Sequence, residues 1–232
     1  MFNIKKIRNV HIYTDLSTET KNNVTVIEEK NGLTIIDTFM KEETMKCFLD
    51  IVAGYNKPIY RIILTHWHID HTIGACMIST ELIASNECKV KLENFILNHQ
   101  QRLKEKGIIE GNMFSVIPST VFKESMSIEL DNNEKLYLKA IPGHSFDSVI
   151  ILYKEFLFVG DNLVGETIDV FLPPVILPDK DKSEPRHLIN SIKYIEEKKA
   201  KYIICGHGEL EETEKLIEHN KKRIAQLMKE ID

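Results

Sequence analysis

Cysteine is scarce in this chain of 232 residues, which contains four: Cys47, Cys76, Cys88 and Cys205. They show no close pairing pattern and are too few for a disulfide scaffold. Long apolar runs are lacking too. None approaches the roughly 18 residues of a membrane-spanning helix, and the first six residues hold no apolar segment of a secretory signal. We therefore expect a cytoplasmic protein with no membrane partner.

Positive charge is not in excess either. Lys and Arg total 30 against 35 for Asp and Glu, which gives a formal net charge of −5. Nucleic-acid binding would need clustered Lys and Arg, so we expect no nucleic-acid partner. Hydrophobic residues make up 43% of the chain, enough for the core of one large domain over residues 1–232. The oligomeric state is left open.

The densest group of chemically active residues is His66, His68, Asp70 and His71, directly after the apolar run 59–64. In extended backbone, the alternating His66 and His68 side chains point to one side. The adjacent Asp70 and His71 must then diverge toward another point, which suits two metal ions. Imidazole with carboxylate favours zinc, with iron or manganese as alternatives.

Three further candidates follow strand-like runs: His144, Asp161 and His207, each directly after a glycine. Glycine lets the backbone turn tightly and approach a metal where a side chain would collide. Each of these pairs alone is typical of an ordinary turn. The four segments together, in this order, predict a metal centre.

Apolar periodicity predicts an α/β protein of the α+β type. Asn31-Gly32 separates two apolar runs and indicates a hairpin with a type I′ turn. Helices are predicted over 41–53, 91–106, 186–198 and from about 211. Strands are predicted at 24–27, 33–36, 59–64, 120–123, 127–130, 135–141, 149–153, 156–159 and 202–205. Two runs of strands, each closed by helices, indicate two packed sheets with helices outside.

The series HxHxDH, GH, GD and GH resembles the metallo-β-lactamase superfamily of metal-dependent hydrolases over nearly the whole chain. The resemblance implies a four-layer αββα sandwich of two mixed sheets, with helices on the outer faces and the site along one edge. It also implies that the seven candidates form a dinuclear centre. One metal would take His66, His68 and His144, the other Asp70, His71 and His207, and Asp161 would bridge them.

Such a centre predicts hydrolysis. Two divalent ions share a hydroxide that attacks a carbonyl carbon or phosphorus, and Asp70 is a catalytic candidate as proton acceptor or orienter. Asp37 either hydrogen-bonds a ligand histidine or forms a helix N-cap or a turn before residue 41. Ser145 and Asp147 either orient His144 or form a turn.

Other histidines and Trp67 receive no metal role. His99 lies on an apolar helix stripe and is expected in the core or at an interface, with lining of the pocket as the alternative. His187 and His219 are expected at the solvated surface, and His11 carries no motif. Trp67 is expected to point away from the metals and pack behind them.

The resemblance leaves the substrate open among esters, lactones, thioesters and phosphodiesters of small molecules. Asp161 stands where one subclass of β-lactamases has a cysteine metal ligand, so membership of that subclass is not expected. Candidate pocket walls are Phe39 and Met40, the stretch 108–118 with Met113 and Phe114, and the loop 162–178. That loop is either a lid or a packed interface. The alternative function is a persulfide dioxygenase with a single iron on His66, His144 and Asp161.

Overall fold

Two β-sheets lie face to face in the computed structural model, which describes residues 1–105, 116–165 and 185–231. The seven-stranded sheet contains β1 (Phe2–Ile7), β2 (Val10–Asp15), β3 (Asn23–Glu28), β4 (Leu33–Ile36), β5 (Ile59–Ile63), β6 (Glu81–Ser85) and β7 (Thr120–Phe122). The five-stranded sheet contains β8 (Ser125–Glu129), β9 (Lys135–Ala140), β10 (Val149–Tyr153), β11 (Phe156–Gly160) and β12 (Tyr202–Cys205).

Helices connect the strands. They are α1 (Glu42–Ala53), the single turn α2 (Ile69–Thr72), a 3-10 turn (Ile73–Met77), α3 (Asn86–Glu105), α4 (Pro185–Lys198) and α5 (Thr213–Ile231). Among the described residues, none of these helices combines the length and the apolar character needed to cross a membrane.

Both sheets mix strand directions. The first keeps sequence order, antiparallel from β1 to β4 and parallel from β4 to β7. The second has the order β12-β11-β10-β9-β8, with β11 and β12 parallel. The carboxyl ends of β4, β5, β11 and β12 are therefore the ends of parallel strands, the usual position of binding residues in such sheets.

Alternate residues of the first sheet face two different cores. Ile35 and Ile62 pack with α1 and α3, whereas their neighbours Ile36 and Ile63 pack against the second sheet. A third cluster joins the second sheet to α4 and α5. A strand buried on both faces needs apolar residues at successive positions, which explains the Ile-Ile pairs. The predicted αββα order of layers is confirmed.

The predicted hairpin forms, but its predicted type I′ turn is wrong. Glu28 pairs with Leu33, and Glu29 N donates to the backbone oxygen of Gly32 at 2.9 Å, so the tip of the hairpin is Lys30-Asn31 and not Asn31-Gly32. A type I′ turn needs positive φ at both central residues, and neither Asn31 nor Gly32 has it. The loop is held from outside: the carboxylate of Asp131 accepts hydrogen bonds from two of its amides, Lys30 N at 2.7 Å and Asn31 N at 2.6 Å.

The other predicted elements are present, but the structure contains further strands and a longer α3. The strands predicted at 149–153 and 202–205 match β10 and β12 at both ends. The strands predicted with bounds do not include β1, β2 or β6, and α3 begins at Asn86 instead of residue 91. Ser85, at the end of β6, explains that start, because its hydroxyl accepts a hydrogen bond from Cys88 N at 3.1 Å and caps the helix.

Candidate metal centre

All seven predicted site residues lie together at one edge of the sandwich. His66 to His71 follow β5, His144 lies between β9 and β10, Asp161 follows β11, and His207 follows β12. Their donor atoms form two groups, each with all its atoms within 4.8 Å of one another. The first comprises His66, His68, His144 and Asp161, and the second Asp70, His71 and His207. That these residues bind metal remains a prediction, and the distances between their donor atoms decide whether each group could hold an ion.

Three imidazoles of the first group converge on one point. Nδ1 of His68 lies 3.0 Å from Nε2 of His66 and 2.9 Å from Nε2 of His144. Two ligands on one tetrahedral zinc at about 2.0–2.1 Å would be roughly 3.3 Å apart. The ring nitrogens are therefore spaced nearly as neighbouring ligands of a single ion, and the donor set fits a divalent metal.

The second group has the same spacing. Nε2 of His207 lies 3.2 Å from Nε2 of His71 and 3.3 Å from Oδ2 of Asp70. Nδ1 of His207 donates to the backbone oxygen of Thr20 at 2.8 Å, which directs Nε2 inward. A hydrogen bond to one ring nitrogen sets the tautomer that leaves the other free to bind a metal. This group also fits a divalent ion.

Asp161 stands between the two groups. Its Oδ2 lies within 3.2–3.7 Å of Nε2 of four histidines: His207, His71, His66 and His144. Its Oδ1 is buried without a hydrogen-bond partner among the described residues. A buried carboxylate needs compensation, and a cation on each side of it would supply that.

The backbone around the histidines differs from the expectation. His66 and His68 do not lie in extended strand, because β5 ends at Ile63 and the chain enters a loop before α2. The one-turn helix α2 separates the directions of Asp70 and His71 from that of His68. Trp67 packs behind the centre, with its ring 5.6 Å from that of Phe95 in α3.

Burial and charge divide the histidines into two kinds. Burial lowers the pKa of His66 well below its usual value and lowers that of His144 to about 4, despite the opposing charge of Asp161. Burial also acts on His71 and His207, but Asp161 and Asp70 outweigh it. The pKa of His71 is raised well above its usual value and that of His207 to about 9. Without a metal, His71 and His207 are therefore each positively charged near neutral pH. A divalent cation bound by this group would displace one proton from each ring and replace their positive charge.

Asp37 supports both groups from the end of β4. Its Oδ2 accepts hydrogen bonds from Nδ1 of His71 at 3.1 Å and from the Thr65 hydroxyl at 2.7 Å. The same hydroxyl lies 3.0 Å from Nδ1 of His66. The helix-cap alternative for Asp37 is wrong, since α1 begins after Lys41. Asp37 has a φ of +60°, a strained conformation of the kind found at functional sites.

Three asparagines hold residues of the centre in place, a role that was not predicted for any of them. Asn162 Oδ1 accepts a hydrogen bond from His144 N at 2.9 Å, and Asn22 Nδ2 donates one to Asp70 Oδ2 at 3.2 Å. Asn23 Nδ2 donates to the backbone oxygens of Cys205 and Gly208, on either side of His207. Only Asn162, adjacent to Asp161, carried a signal in the sequence. The other two approach their partners through tertiary contacts.

Ser145 and Asp147 form a turn and also anchor it. Ser148 N donates to the backbone oxygen of Ser145 at 3.2 Å, as a turn requires. Lys91 of α3 then lies 3.1 Å from both the Ser145 hydroxyl and the Asp147 carboxylate. The turn that carries His144 is therefore tied to α3 by an ion pair between the half-buried Lys91 and the buried Asp147.

The remaining predictions concern four other histidines and the walls of the pocket. His99 is half-buried and stacks on Phe95 at 4.8 Å between ring centroids. His187 and His219 are half-buried rather than solvated. His11 is buried and bonds the Tyr55 hydroxyl at 2.7 Å. Residues 108–115 of the predicted pocket wall 108–118, with Met113 and Phe114, lie outside the described residues. So do residues 166–178 of the loop 162–178, with Phe171, Leu172, Pro173, Pro174 and Pro178.

Known proteins share the fold and parts of the sequence. "Beta-lactamase-like protein 2 homolog" of Caenorhabditis elegans is 25% identical over 194 residues, 81% of this chain and 57% of that protein. "Lactamase-like protein nscB" of Trichophyton rubrum is 35% identical over 113 residues, 47% of this chain and 28% of that protein. The chain thus spans less than two thirds of the length of either relative.

A solved structure, "Metallo-beta-lactamase from Pontibacter korlensis", superposes with a TM-score of 0.70 and 18% identity. The match covers 97% of this chain and 99% of that one. At this identity, the likeness shows the fold alone. The family model described as "Metallo-beta-lactamase superfamily" matches residues 17–207, which include every member of the two groups. The chain belongs to the metallo-β-lactamase superfamily.

Proposed function

We propose that the chain is a dinuclear metallo-hydrolase that cleaves an ester, lactone, thioester or phosphodiester of a small molecule, with zinc as the first choice of metal. The proposal includes a single catalytic domain over residues 1–232 that works in the cytoplasm. A fold alone does not select a reaction, so the proposal rests on the donor atoms.

The position of Asp161 is the observation that carries the proposal. One oxygen, Oδ2, is close to ring nitrogens of both groups, from 3.2 Å at His207 to 3.7 Å at His66 and His144. An oxygen so placed suits a bridge between two ions. Metals in two-metal hydrolases typically lie ~3.5–4 Å apart, a separation that a shared carboxylate oxygen accommodates.

Divalent ions held by these residues would supply a nucleophilic water, whose pKa falls toward ~7 on a single zinc, and a Lewis acid for the substrate oxygen. The chain's own contribution is to orient the reactants. Burial raises the pKa of Asp70, but His71 and His207 outweigh it and hold that pKa well below its usual range. Asp70 is therefore ionised at neutral pH and would accept a hydrogen bond from such a water.

The first test is the metal content of protein purified without added metal, by plasma mass spectrometry. About two zinc, manganese or iron ions per chain are expected, with about one fewer in Asp161→Ala. His99→Ala is the matched control, because this half-buried histidine belongs to neither group. The metal-loaded protein is then assayed in parallel on an ester, a lactone, a thioester and a phosphodiester.

Two results would overturn the proposal. A chain that retains no divalent metal and hydrolyses none of the four substrates is not a metallo-hydrolase. A chain that holds a single iron and consumes oxygen with persulfides is instead the dioxygenase that the sequence left as the alternative. Metal counting and oxygen consumption separate these results without reference to any particular ester.

A further inference from the structure

A cavity of about 260 Å³ opens directly beside Asp70. One wall includes Asp15, the last residue of β2, and Asn22, from the loop between β2 and β3. The other comes from Phe39, Met40 and Ile69, on the segments before α1 and at the start of α2. The cavity therefore adjoins the second group of the metal centre, and its apolar residues lie on one side.

The apolar wall is firmly supported at its base and adaptable at its surface. The Phe39 ring stacks on Phe2 at 5.0 Å and meets Phe48 edge-on at 5.5 Å, so it is fixed by the core behind it. Met40 and Ile69 are half-buried. Methionine is flexible and fills irregular gaps against varied apolar groups. This combination suits an alkyl chain.

The charges around the cavity disfavour an anion. Asp15 and Asp70 both contribute to its lining, and Lys41 is the lining cation, an exposed residue. Asp15 is held in place, since its Oδ1 accepts hydrogen bonds from Ser17 N at 2.8 Å and the Ser17 hydroxyl at 2.7 Å. Like charges within a few ångströms repel, so a phosphate here is less favourable than a neutral group.

Asn22 joins the cavity to the metal centre. Its side chain lines the cavity, and its Nδ2 donates to Asp70 Oδ2 at 3.2 Å. A group lodged between Phe39, Met40 and Ile69 therefore ends within reach of the atoms that would bind metal. The volume has room for about nine groups of water size at roughly 30 Å³ each.

We propose that this cavity binds a neutral acyl chain of up to about eight carbons, so that the substrate is an acyl ester or thioester and not a phosphodiester. The inference rests on the proposed function. Hydrolysis adds one water across the bond between the acyl carbon and the leaving oxygen or sulfur, and it releases a carboxylic acid and an alcohol or thiol. The acyl carbon lies at the mouth of the cavity beside Asp70.

The kinetic test uses p-nitrophenyl esters from acetate to dodecanoate on the metal-loaded protein. We expect kcat/KM to rise about four-fold per methylene up to about octanoate and then to fall. Met40→Trp narrows the cavity and moves the maximum to shorter chains, so that the ratio of octanoate to acetate falls at least ten-fold. Leu97→Trp, at a position of α3 that is 71% exposed, introduces the same residue elsewhere and leaves the ratio as in the wild type.

A binding measurement separates this inference from the proposed function. Octanamide and acetamide are neutral and not turned over as esters, and calorimetry is expected to show octanamide bound at least ten-fold more tightly, with the preference lost in Met40→Trp. Ester hydrolysis without any chain-length preference would overturn the acyl site and leave the hydrolase. Octanamide binding without hydrolysis of any ester, lactone, thioester or phosphodiester would overturn the hydrolase and leave the acyl site. Equal binding of the two amides also overturns the site.

Discussion

His71 donates a hydrogen bond from Nδ1 to Oδ2 of Asp37 at 3.1 Å. A carboxylate only accepts, so this contact places a proton on Nδ1 and directs Nε2 toward Asp161 and His207. Asp37 Oδ1 meanwhile accepts Thr65 N at 2.8 Å, which ties the carboxylate to the backbone next to His66. One residue outside the motif thus orients histidines of both groups.

Asp37→Asn is expected to weaken metal binding by about 10–100-fold, chiefly at the group of Asp70, His71 and His207. All three partners of Asp37 in this region donate hydrogen bonds, and the amide nitrogen of asparagine cannot accept one. Competition with a chromophoric chelator measures the affinity. Asp50→Asn, at an exposed position of α1, is the control. Equal affinity in wild type and Asp37→Asn would contradict the orienting role.

Gly206→Ala is expected to abolish metal binding by Asp161, the carboxylate proposed to bridge the two ions. A Cβ at Gly206 would overlap Oδ1 of Asp161 and come within 2.6 Å of Cε1 of His71, so both side chains would have to move. Gly54→Ala is the control, since a Cβ there meets only a backbone oxygen at 3.1 Å. Cobalt substitution followed by absorption spectroscopy reports the geometry of each ion. A Gly206→Ala spectrum identical to that of the wild type would show that the close approach has no role.

The metal-free protein is expected to lose stability as the pH rises from 7 to 10. The pKa of His207 is raised from 6.5 to about 9, so its protonated form contributes its full stabilisation below about pH 6.5, and this is lost as the pH rises through 9. Asp161 is the first cause of the increase after the opposing effect of burial. In Asp161→Asn the loss should therefore be smaller. Urea unfolding at both pH values measures it, and an equal loss in the two proteins would refute the coupling.

The fold could be predicted where local pattern and burial agree. Strand β10 and strand β12 were predicted at both ends, since each is an apolar run between turn residues. Strand β6 was missed because its neighbours are remote: Leu82 pairs with Ile62 of β5, and Ile83 pairs with Thr120 of β7. A short parallel strand has no local signal for this pairing.

The site was predictable only as far as its donor residues. Metal-binding side chains are rare enough in combination that His66 to His71 and the three glycine-flanked positions stood out. The residues that hold them did not. Asn23 lies 182 positions from Cys205, whose backbone oxygen it binds. Such contacts arise from the packing of the two sheets, and no spacing in the sequence predicts them.

The buried carboxylate of Glu29 joins the two sheets. It follows the Glu28 end of β3, whereas the metal centre lies at the opposite, Asn23 end of that strand. Glu29 Oε1 accepts hydrogen bonds from Arg61 at 2.7 Å and from the Thr34 hydroxyl at 2.6 Å. Its Oε2 accepts Asp131 N at 3.0 Å, while the Asp131 carboxylate binds the loop that follows Glu29. The two turns thus hold each other through reciprocal hydrogen bonds.

Glu29→Ala is expected to lower the free energy of unfolding by about 3–5 kcal/mol, because the half-buried Arg61 and the buried Thr34 hydroxyl would both lose their partner. Glu129→Ala is the matched control. Glu129 pairs with Lys135 on the exposed surface, and its removal is expected to leave the free energy of unfolding essentially unchanged. Urea unfolding of the metal-loaded proteins gives both values. Metal affinity should stay as in the wild type for Glu29→Ala, since its contacts lie away from both groups of the centre. A loss of stability no larger than that of the control would show that this carboxylate does not hold the sheets together.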